Sequence, residues 1–194
     1  IEPSDVGADM IVGSLIKNPG GGLAPTGGYF AGKKSAVDRI TNSMTVPGIG
    51  REAGSYFGSY LPFYHGFFSA PHVVAQSLKT SALFAKAFEY LKLPTMPPSD
   101  AVRSDIVQSL RFDTKEELID FCACIQAVAP VDGYVVPEPW AMPGYSHDVI
   151  MAAGTFIQGA SIELSADAPI CKPYTAYVQG ALNYSHGRLA VMRV

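Results

Sequence analysis

The first part of the chain alternates short apolar stretches with glycine-rich ones. Residues 8–16 are mostly apolar and predict a buried strand. The stretch 18–22, Asn-Pro-Gly-Gly-Gly, cannot continue regular structure and predicts a tight loop. Residues 23–32 predict a second strand or a hairpin around Gly27 and Gly28. These patterns place two strands on either side of a glycine loop.

Helical spacing dominates the following residues. Residues 33–43 have the spacing of a short helix, and a second glycine-rich loop covers 45–54. Apolar residues recur at helical spacing from Ser69 to Leu93, which predicts a long helix. Ser69 suits the N-cap of this helix, and Pro71 is tolerated in its first turn.

The pattern changes after the proline-rich run 94–99, which ends the predicted helix. Residues 105–112 predict a strand. Thr114 and Glu117 form a capping-box signature, which predicts the start of a helix that continues to about residue 129.

Shorter apolar runs make up the end of the chain. Residues 133–136 and 149–165 predict strands, the second with a turn near Gly159, and helical spacing runs from 173 to the end. Strand, helix, strand, strand and helix in this order are typical of a compact α+β module.

We therefore expect two units, with the run 94–99 as their linker. Residues 1–96 would be the end of a large α/β domain, and 97–194 a small α+β domain. The chain begins Ile-Glu-Pro-Ser-Asp without an initiator methionine and is apolar almost at once. A polar entry is more usual at a true terminus. We expect the chain to be part of a longer polypeptide.

Composition narrows the class of protein. The 194 residues carry 14 Lys and Arg against 17 Asp and Glu, a net charge of −3, so there is no basic field for nucleic acid. Charged residues are 16% of the chain, below the roughly 25% of an average domain, so we expect large interfaces and a homo-oligomer. No apolar run reaches the roughly 20 residues of a membrane span. Three cysteines are too few for a disulfide framework, which favours a cytoplasmic protein.

The sharpest chemical signal is a lysine at the end of the first predicted strand. Lys17 enters the glycine loop directly after Ile16, where it is poorly placed for solvation. Burial disfavours an ammonium, and this is how a lysine becomes an amine nucleophile or a Schiff-base former. Glycines let the backbone approach a planar ligand or its phosphate, which Ser14 could also contact. Alternatively, Lys17 only extends from the strand end into solvent, and the residues alone leave both interpretations open.

The segment 13–29, Gly-Ser-Leu-Ile-Lys-Asn-Pro-Gly-Gly-Gly-Leu-Ala-Pro-Thr-Gly-Gly-Tyr, has a close counterpart. It resembles the cofactor-lysine segment of the methionine γ-lyase-related proteins, a pyridoxal-phosphate family also called cystathionine β-lyase-like or aluminium-resistance proteins. Five later segments resemble the same family in the same order: 47–50, 70–74, 137–145, 150–156 and 158–165. The resemblance thus covers nearly the whole chain.

The resemblance implies the C-terminal half of a fold-type-I pyridoxal-phosphate enzyme. In it Lys17 would form the Schiff base with the cofactor, and Ser14 would contact the cofactor phosphate. Relatives of this fold often have another hydroxyl directly before the lysine; here Ile16 stands there, so that contact is absent. An N-terminal half would supply the rest of the pocket, including an aspartate for the pyridinium nitrogen and an aromatic residue stacked on the ring. The family also implies a homodimer or a tetramer.

The activity that the family implies is carbon–sulfur lysis of a small sulfur-containing amino acid. The cofactor would carry the chemistry, and the lysine amine would move protons as general base and acid. A lysine does not by itself choose among elimination, replacement and transamination, so the substrate class rests on the family alone. A β- or γ-replacement enzyme and a catalytically silent interaction fragment remain the alternatives.

The residue that would bind the substrate carboxylate is less evident. Fold-type-I enzymes commonly use an arginine of the small domain, because a guanidinium makes two parallel hydrogen bonds. Relatives tend to have that arginine at the place of Cys171, so this sequence departs from the family there. Lys172 is adjacent but would point to the other face of an extended segment. Arg51 and Arg103 are the other candidates, and we favour Arg51 because it lies in the second glycine loop.

Other motifs are weaker. The stretch 27–34 nearly matches a phosphate-binding P-loop, but Lys34 stands where a magnesium-binding hydroxyl is needed. Cys122 and Cys124 are two residues apart on a predicted helix, which separates their thiols, so we expect core residues and no metal site. The aromatic run 56–68 fits a helix core or a subunit interface better than a stack on a cofactor.

Overall fold

Two antiparallel strands lead into and out of the glycine loop. In the computed structural model, which describes residues 2–44, 47–52 and 57–194, β1 (Met10–Ser14) pairs with β2 (Gly28–Gly32). A short 3-10 turn, Asn18–Gly20, lies between them, and helix α1 (Lys34–Met44) follows β2. The predicted strands, loop and short helix form here. The expectation of a buried first strand is wrong for this chain, because no residue of β1 is buried by the described residues. The stretch 27–34 is thus partly β2, and Lys33 and Lys34 form ion pairs with Asp9 and Asp38.

The long helix α2 (Leu61–Tyr90) begins earlier than the sequence predicted. Pro71, expected in the first turn, lies inside the helix and removes one backbone hydrogen bond. The helix continues through it because Gly66, Ala70 and Val73 are buried against other elements, and such packing outweighs local preference. Residue 56, the first of the aromatic run, lies outside the described residues.

The second half of the chain forms a five-stranded antiparallel sheet in the order β3-β4-β7-β6-β5. Its strands are β3 (Thr95–Met96), β4 (Val107–Arg111), β5 (Val149–Ala152), β6 (Ser165–Pro169) and β7 (Thr175–Gln179). Helix α3 (Lys115–Ala127) follows β4, and α4 (Tyr184–Arg193) ends the chain. The result is a mixed α/β architecture in which the α+β order of the second half is confirmed.

One face of this sheet packs against the helices and forms the main core. Alternate residues of the strands are buried against aromatic and aliphatic side chains of α2 and α3. The helix residues are Phe84, Phe88, Leu118 and Phe121, and the strand residues are Leu110, Ile150, Ala152, Ala166, Ala168, Ala176 and Val178. The end of α2 therefore shares a core with the sheet. The opposite face carries more polar side chains, among them Asp167.

Three expectations about this region need correction. Residues 133–136 form a loop, because Asp132 has a φ of 53° and Pro137 and Pro139 lack N–H donors. The segment expected as a linker contains β3, which pairs with β4. The helical spacing expected from 173 applies only to α4, because β7 comes first. The division of the chain at residue 96 stays a prediction.

Other local predictions are confirmed. The capping box of α3 forms, with the Glu117 N–H donating to Thr114 Oγ1 at 3.2 Å. The turn at 158–159 follows β5, although the strand expected over 149–165 is interrupted by a loop before β6. Cys122 is buried in the core, and burial raises the pKa of its thiol to about 12, which makes it an inert core residue; Cys124 is half-buried.

The aromatic side chains at the start of α2 are not a helix core. Tyr64, Phe67 and Phe68 are exposed, the last of them to 85%. Phe63 is half-buried, with its ring 6.3 Å from that of Tyr60. A subunit interface, the other expectation for this run, stays a prediction.

Candidate active site around Lys17

Lys17 lies where the chain leaves the two-stranded sheet. The pairing with β2 extends by one residue, since the Leu15 N–H donates to the Gly27 carbonyl at 2.9 Å. The backbone then turns into the 3-10 segment Asn18–Gly20 directly after Lys17. The lysine is half-buried, and its Nζ donates a hydrogen bond to the backbone carbonyl of Gly159. The amine is thus directed at a loop 142 residues further along the chain.

The glycine loop takes its position from backbone contact with α2. An ideal Cβ on Gly66 would lie 2.1 Å from the Gly20 carbonyl oxygen, and one on Gly21 would lie 2.4 Å from the Gly66 carbonyl oxygen. Gly20 itself packs on the Leu15 carbonyl, 1.8 Å from where its Cβ would be. No larger residue fits these three positions without a backbone shift. The glycines after Lys17 therefore hold the segment against the helix.

The second half of the chain forms the other wall. A cavity of about 140 Å³ lies between Lys17 and residues of β5, β6, β7 and the loop between β5 and β6. Six of its ten lining residues have polar or charged side chains, among them Thr155, Ser165, Asp167 and Gln179. A small cavity with such side chains and an amine in its wall can orient a ligand by directed hydrogen bonds.

Asp167 is the acidic group of this cavity. It is half-buried in the centre of β6, on the face of the sheet away from the main core. Burial raises the pKa of its carboxyl group, while the positive charge of Lys17 lowers it. An ammonium and a carboxylate therefore share one small space.

The loop between β5 and β6 is shaped by a second carboxylate. Glu163 accepts the Phe156 N–H at 2.8 Å and the Ile157 N–H at 3.0 Å. Burial raises the pKa of Glu163, and these two hydrogen bonds lower it. On the outer side, Ile16 packs beside the loop, since an ideal Cβ on Gly159 would lie 3.6 Å from Ile16 Cδ1. Ile16, which stands where a hydroxyl was expected, thus makes an apolar contact.

Ser14 ends β1 three residues before Lys17. Its Oγ accepts the Ile16 N–H at 3.2 Å, which leaves the hydroxyl proton as a donor. Ser14 lies on the same short segment as Lys17 but does not line the cavity.

Two of the candidates for a substrate carboxylate, Lys172 and Arg103, do not line the Lys17 cavity. Lys172 is exposed between β6 and β7, beside Arg111 and Asp113 and not in the Lys17 cavity. Arg103 donates to Gln108 Oε1 at 2.6 Å, and burial lowers the pKa of its guanidinium. The side chain of Arg51 lies outside the described residues. The roles of Arg51 and Lys172 stay predictions.

Gly159, Glu163 and Asp167 belong to the site but could not be predicted as site residues. The sequence predicts only a turn at Gly159 and no role for the two acidic residues. A signal was present for Asp167, because an acidic residue in the centre of an otherwise small, apolar strand needs a polar environment. Among the described residues, no group of three or more His, Cys, Asp or Glu side chains could hold a metal ion, and none of the helices could span a bilayer.

The fold and the site define a mixed α/β protein with a half-buried lysine between a glycine loop and an antiparallel sheet. The family model for methionine gamma-lyase matches residues 1–194, and the chain belongs to this family. The family resemblance seen in the sequence is thereby confirmed.

Solved structures and curated relatives agree with this assignment. A carbon-sulfur lyase involved in aluminum resistance from Clostridium novyi NT is 51% identical with a TM-score of 0.92, covering 98% of this chain and 44% of that one. A Listeria innocua protein, provisionally named a cystathionine beta-lyase involved in aluminum resistance, is 54% identical with a TM-score of 0.95, covering 100% and 47%. The uncharacterized protein YnbB of Bacillus subtilis (strain 168) is 56% identical over 191 residues, 98% of this chain and 45% of its own length. The chain thus spans about half the length of these relatives.

Proposed function

We propose that the complete gene product is a pyridoxal-phosphate-dependent carbon–sulfur lyase for a sulfur-containing amino acid, and that Lys17 holds the cofactor. The observation that carries the proposal is the position of Lys17, a half-buried residue three positions after the end of β1 that lines a small cavity together with Asp167. The names of the Clostridium novyi and Listeria innocua proteins support the reaction class. A fold-type-I architecture for the complete protein is part of this proposal.

The residues present fit the cofactor. Lys17 offers the primary amine that the cofactor aldehyde requires, and it is held by a carbonyl group of the chain. Ser14 offers a hydroxyl donor on the same segment, which suits a phosphate oxygen. Gly20 and Gly21 leave no room for a ligand, because the Leu15 and Gly66 carbonyls fill the space where their side chains would be; they hold the segment of Lys17 in place. A planar ligand with a phosphate group is compatible with this arrangement.

The chemistry divides between the cofactor and the chain. When bound, pyridoxal phosphate supplies an electron sink for carbanions next to the substrate amine. Lys17 Nζ would move protons at the substrate Cα and the neighbouring carbons. Asp167, whose pKa is raised by burial, could hold a proton on the cavity wall opposite the amine. Arg51 and Lys172 remain our candidates for the substrate carboxylate, with Arg51 favoured.

Assembly and location belong to the same proposal. The low charge content of the chain and the exposed aromatic side chains of α2 suit a homodimer or a tetramer. We place the protein in the cytoplasm, with a small amino acid as its substrate and no nucleic acid or membrane partner.

The reaction class is tested with the complete gene product, pyridoxal phosphate and two substrates, cystathionine and methionine. Elimination releases equal amounts of a thiol, a 2-oxo acid and ammonia from the substrate that is accepted. We expect this release from the unaltered protein and not from Lys17→Ala. Exchange of an added thiol without ammonia would instead identify a replacement enzyme. Absence of both reactions would contradict the proposed lyase and favour the silent interaction fragment.

A further inference from the structure

The loop between β5 and β6 brings a single backbone carbonyl to Lys17. Lys17 Nζ donates to the carbonyl oxygen of Gly159. Gly159 has a φ of 78°, in the left-handed region that glycine adopts without strain. The direction of this carbonyl is therefore determined by the conformation of the loop.

A buried carboxylate stabilises that conformation. Glu163 is only 2% exposed, and each of its two oxygens accepts one backbone N–H, from Phe156 at 2.8 Å and from Ile157 at 3.0 Å. Since both oxygens are acceptors, the geometry suits the ionised form. An ionised carboxylate is costly to bury unless it is hydrogen-bonded, so the two amides are what makes this position tolerable.

The remaining loop contacts connect Glu163 to Gly159. Thr155, also buried, donates its hydroxyl to the Ile157 carbonyl at 2.8 Å, and the Ala160 N–H donates to the same carbonyl at 3.0 Å. Ile157 thus receives a hydrogen bond from each side and donates its own N–H to Glu163. Gly159 lies inside this closed turn, so a change at Glu163 is transmitted to its carbonyl.

We propose that Glu163 is a positioning residue for Lys17. Its carboxylate holds the amides of Phe156 and Ile157, and the turn held in this way presents the Gly159 carbonyl that orients the lysine amine. The importance of the hydrogen bond between Lys17 and Gly159 for catalysis rests on the proposed function. The hydrogen bond itself does not depend on that function.

The test uses the complete gene product without cofactor. Lysines are acetylated briefly, and the rate at Lys17 is measured by peptide mass spectrometry relative to exposed Lys79 of α2. In Glu163→Gln one of the two amides loses its acceptor, the Gly159 carbonyl is released, and the amine is less strongly held. Because the neutral amide of glutamine holds a backbone N–H less strongly than a carboxylate does, we expect Lys17 to react at least about threefold faster relative to Lys79.

Glu117→Gln is the matched control. The Glu117 carboxylate also accepts two backbone N–H groups, from Asp113 and Thr114, both at 3.1 Å, but at the start of α3 and outside the Lys17 cavity. Its relative Lys17 rate should equal that of the unaltered protein. An equal increase in both variants would show general loosening and overturn the proposal.

Thr155→Val keeps the proposal testable if Glu163→Gln does not fold by circular dichroism. This variant has nearly the same shape and removes only the hydroxyl bond to the Ile157 carbonyl, so a smaller increase in the same direction is expected. If Glu163→Gln folds, an unchanged acetylation rate at Lys17 in that variant overturns the proposal. If it does not fold, an unchanged rate in Thr155→Val overturns it. Failure of the protein to bind pyridoxal phosphate would contradict the proposed function and leave this result intact.

Discussion

The two sides of the Lys17 cavity are built by different means. The sheet β3–β7 has a core of fully buried aliphatic and aromatic side chains, such as Leu110, Ile150 and Phe121. The strands β1 and β2 and the helix α1 contain no buried residue, and Val12 of β1 is 70% exposed. One region is stabilised by side-chain packing, and the other meets the rest of the described chain through the glycine loop.

This difference indicates how the lysine is positioned. On the sheet side, a change of side chain alters the core or the loop that carries Gly159. On the other side, the backbone of the glycine loop contacts the backbone of α2 at Gly66. This contact depends on the absence of a side chain and would be disturbed by adding one. The stability of the protein and the placement of Lys17 should therefore respond to different substitutions.

The largest expected effect is a difference in the free energy of unfolding between a substitution in the sheet core and one in β1. Leu110→Ala removes a fully buried side chain from the core and should cost about 2–5 kcal/mol of the free energy of unfolding. Val12→Ala shortens an exposed aliphatic residue of β1 and should stay within about 0.5 kcal/mol. Urea unfolding of the 194-residue chain, followed by circular dichroism, measures both. An equal loss of unfolding free energy in the two variants would contradict the proposed difference between the two regions.

The second prediction concerns the contact between the glycine loop and α2. Alanine in place of glycine in an exposed helix stabilises by up to about 1 kcal/mol. In Gly66→Ala the new Cβ would lie 2.1 Å from the Gly20 carbonyl oxygen, so we expect a destabilisation of about 1–3 kcal/mol. His65→Ala, at an exposed neighbouring position of the same helix, serves as the control and should be nearly neutral. The same unfolding experiment gives the sign, and a stabilising Gly66→Ala would refute the backbone contact.

The smallest effect is expected at the cap of α3, on the sheet side. Thr114→Ala removes the hydroxyl that accepts the Glu117 N–H and should cost about 1 kcal/mol. Lys115→Ala, at the exposed first position of the helix, is the comparison variant and should change stability less. If the two thermal midpoints shift equally, the capping box contributes nothing measurable.

The elements that could be predicted from the sequence are those in which the local pattern agrees with the tertiary contacts. β1, α1, β4 and α3 each have a clear periodicity or a cap. β6, Ser-Ala-Asp-Ala-Pro, lacks the β-branched and aromatic residues that mark a strand. It becomes one because it lies between β5 and β7, where Ala166 and Ala168 fit the space under the helices.

The site could be predicted only where it is local in sequence. Lys17, Ser14 and the glycines lie within one short segment, and the pattern of that segment identified the lysine. Glu163, Asp167 and Gly159 meet it only through the fold, and nothing at their own positions refers to Lys17. The family was predicted correctly from extended segments. The residue for the substrate carboxylate stays a prediction, because no short segment of the sequence identifies it.

The central claim, that Lys17 holds pyridoxal phosphate, is tested most directly by trapping. The complete gene product is incubated with the cofactor, reduced with borohydride and mapped by peptide mass spectrometry. We predict a near-visible absorbance before reduction and a cofactor adduct on Lys17 Nζ after it; Lys17→Ala should lose both, and Lys33→Ala should retain both. A protein that stays colourless with added cofactor, or an adduct on another lysine, would contradict the account.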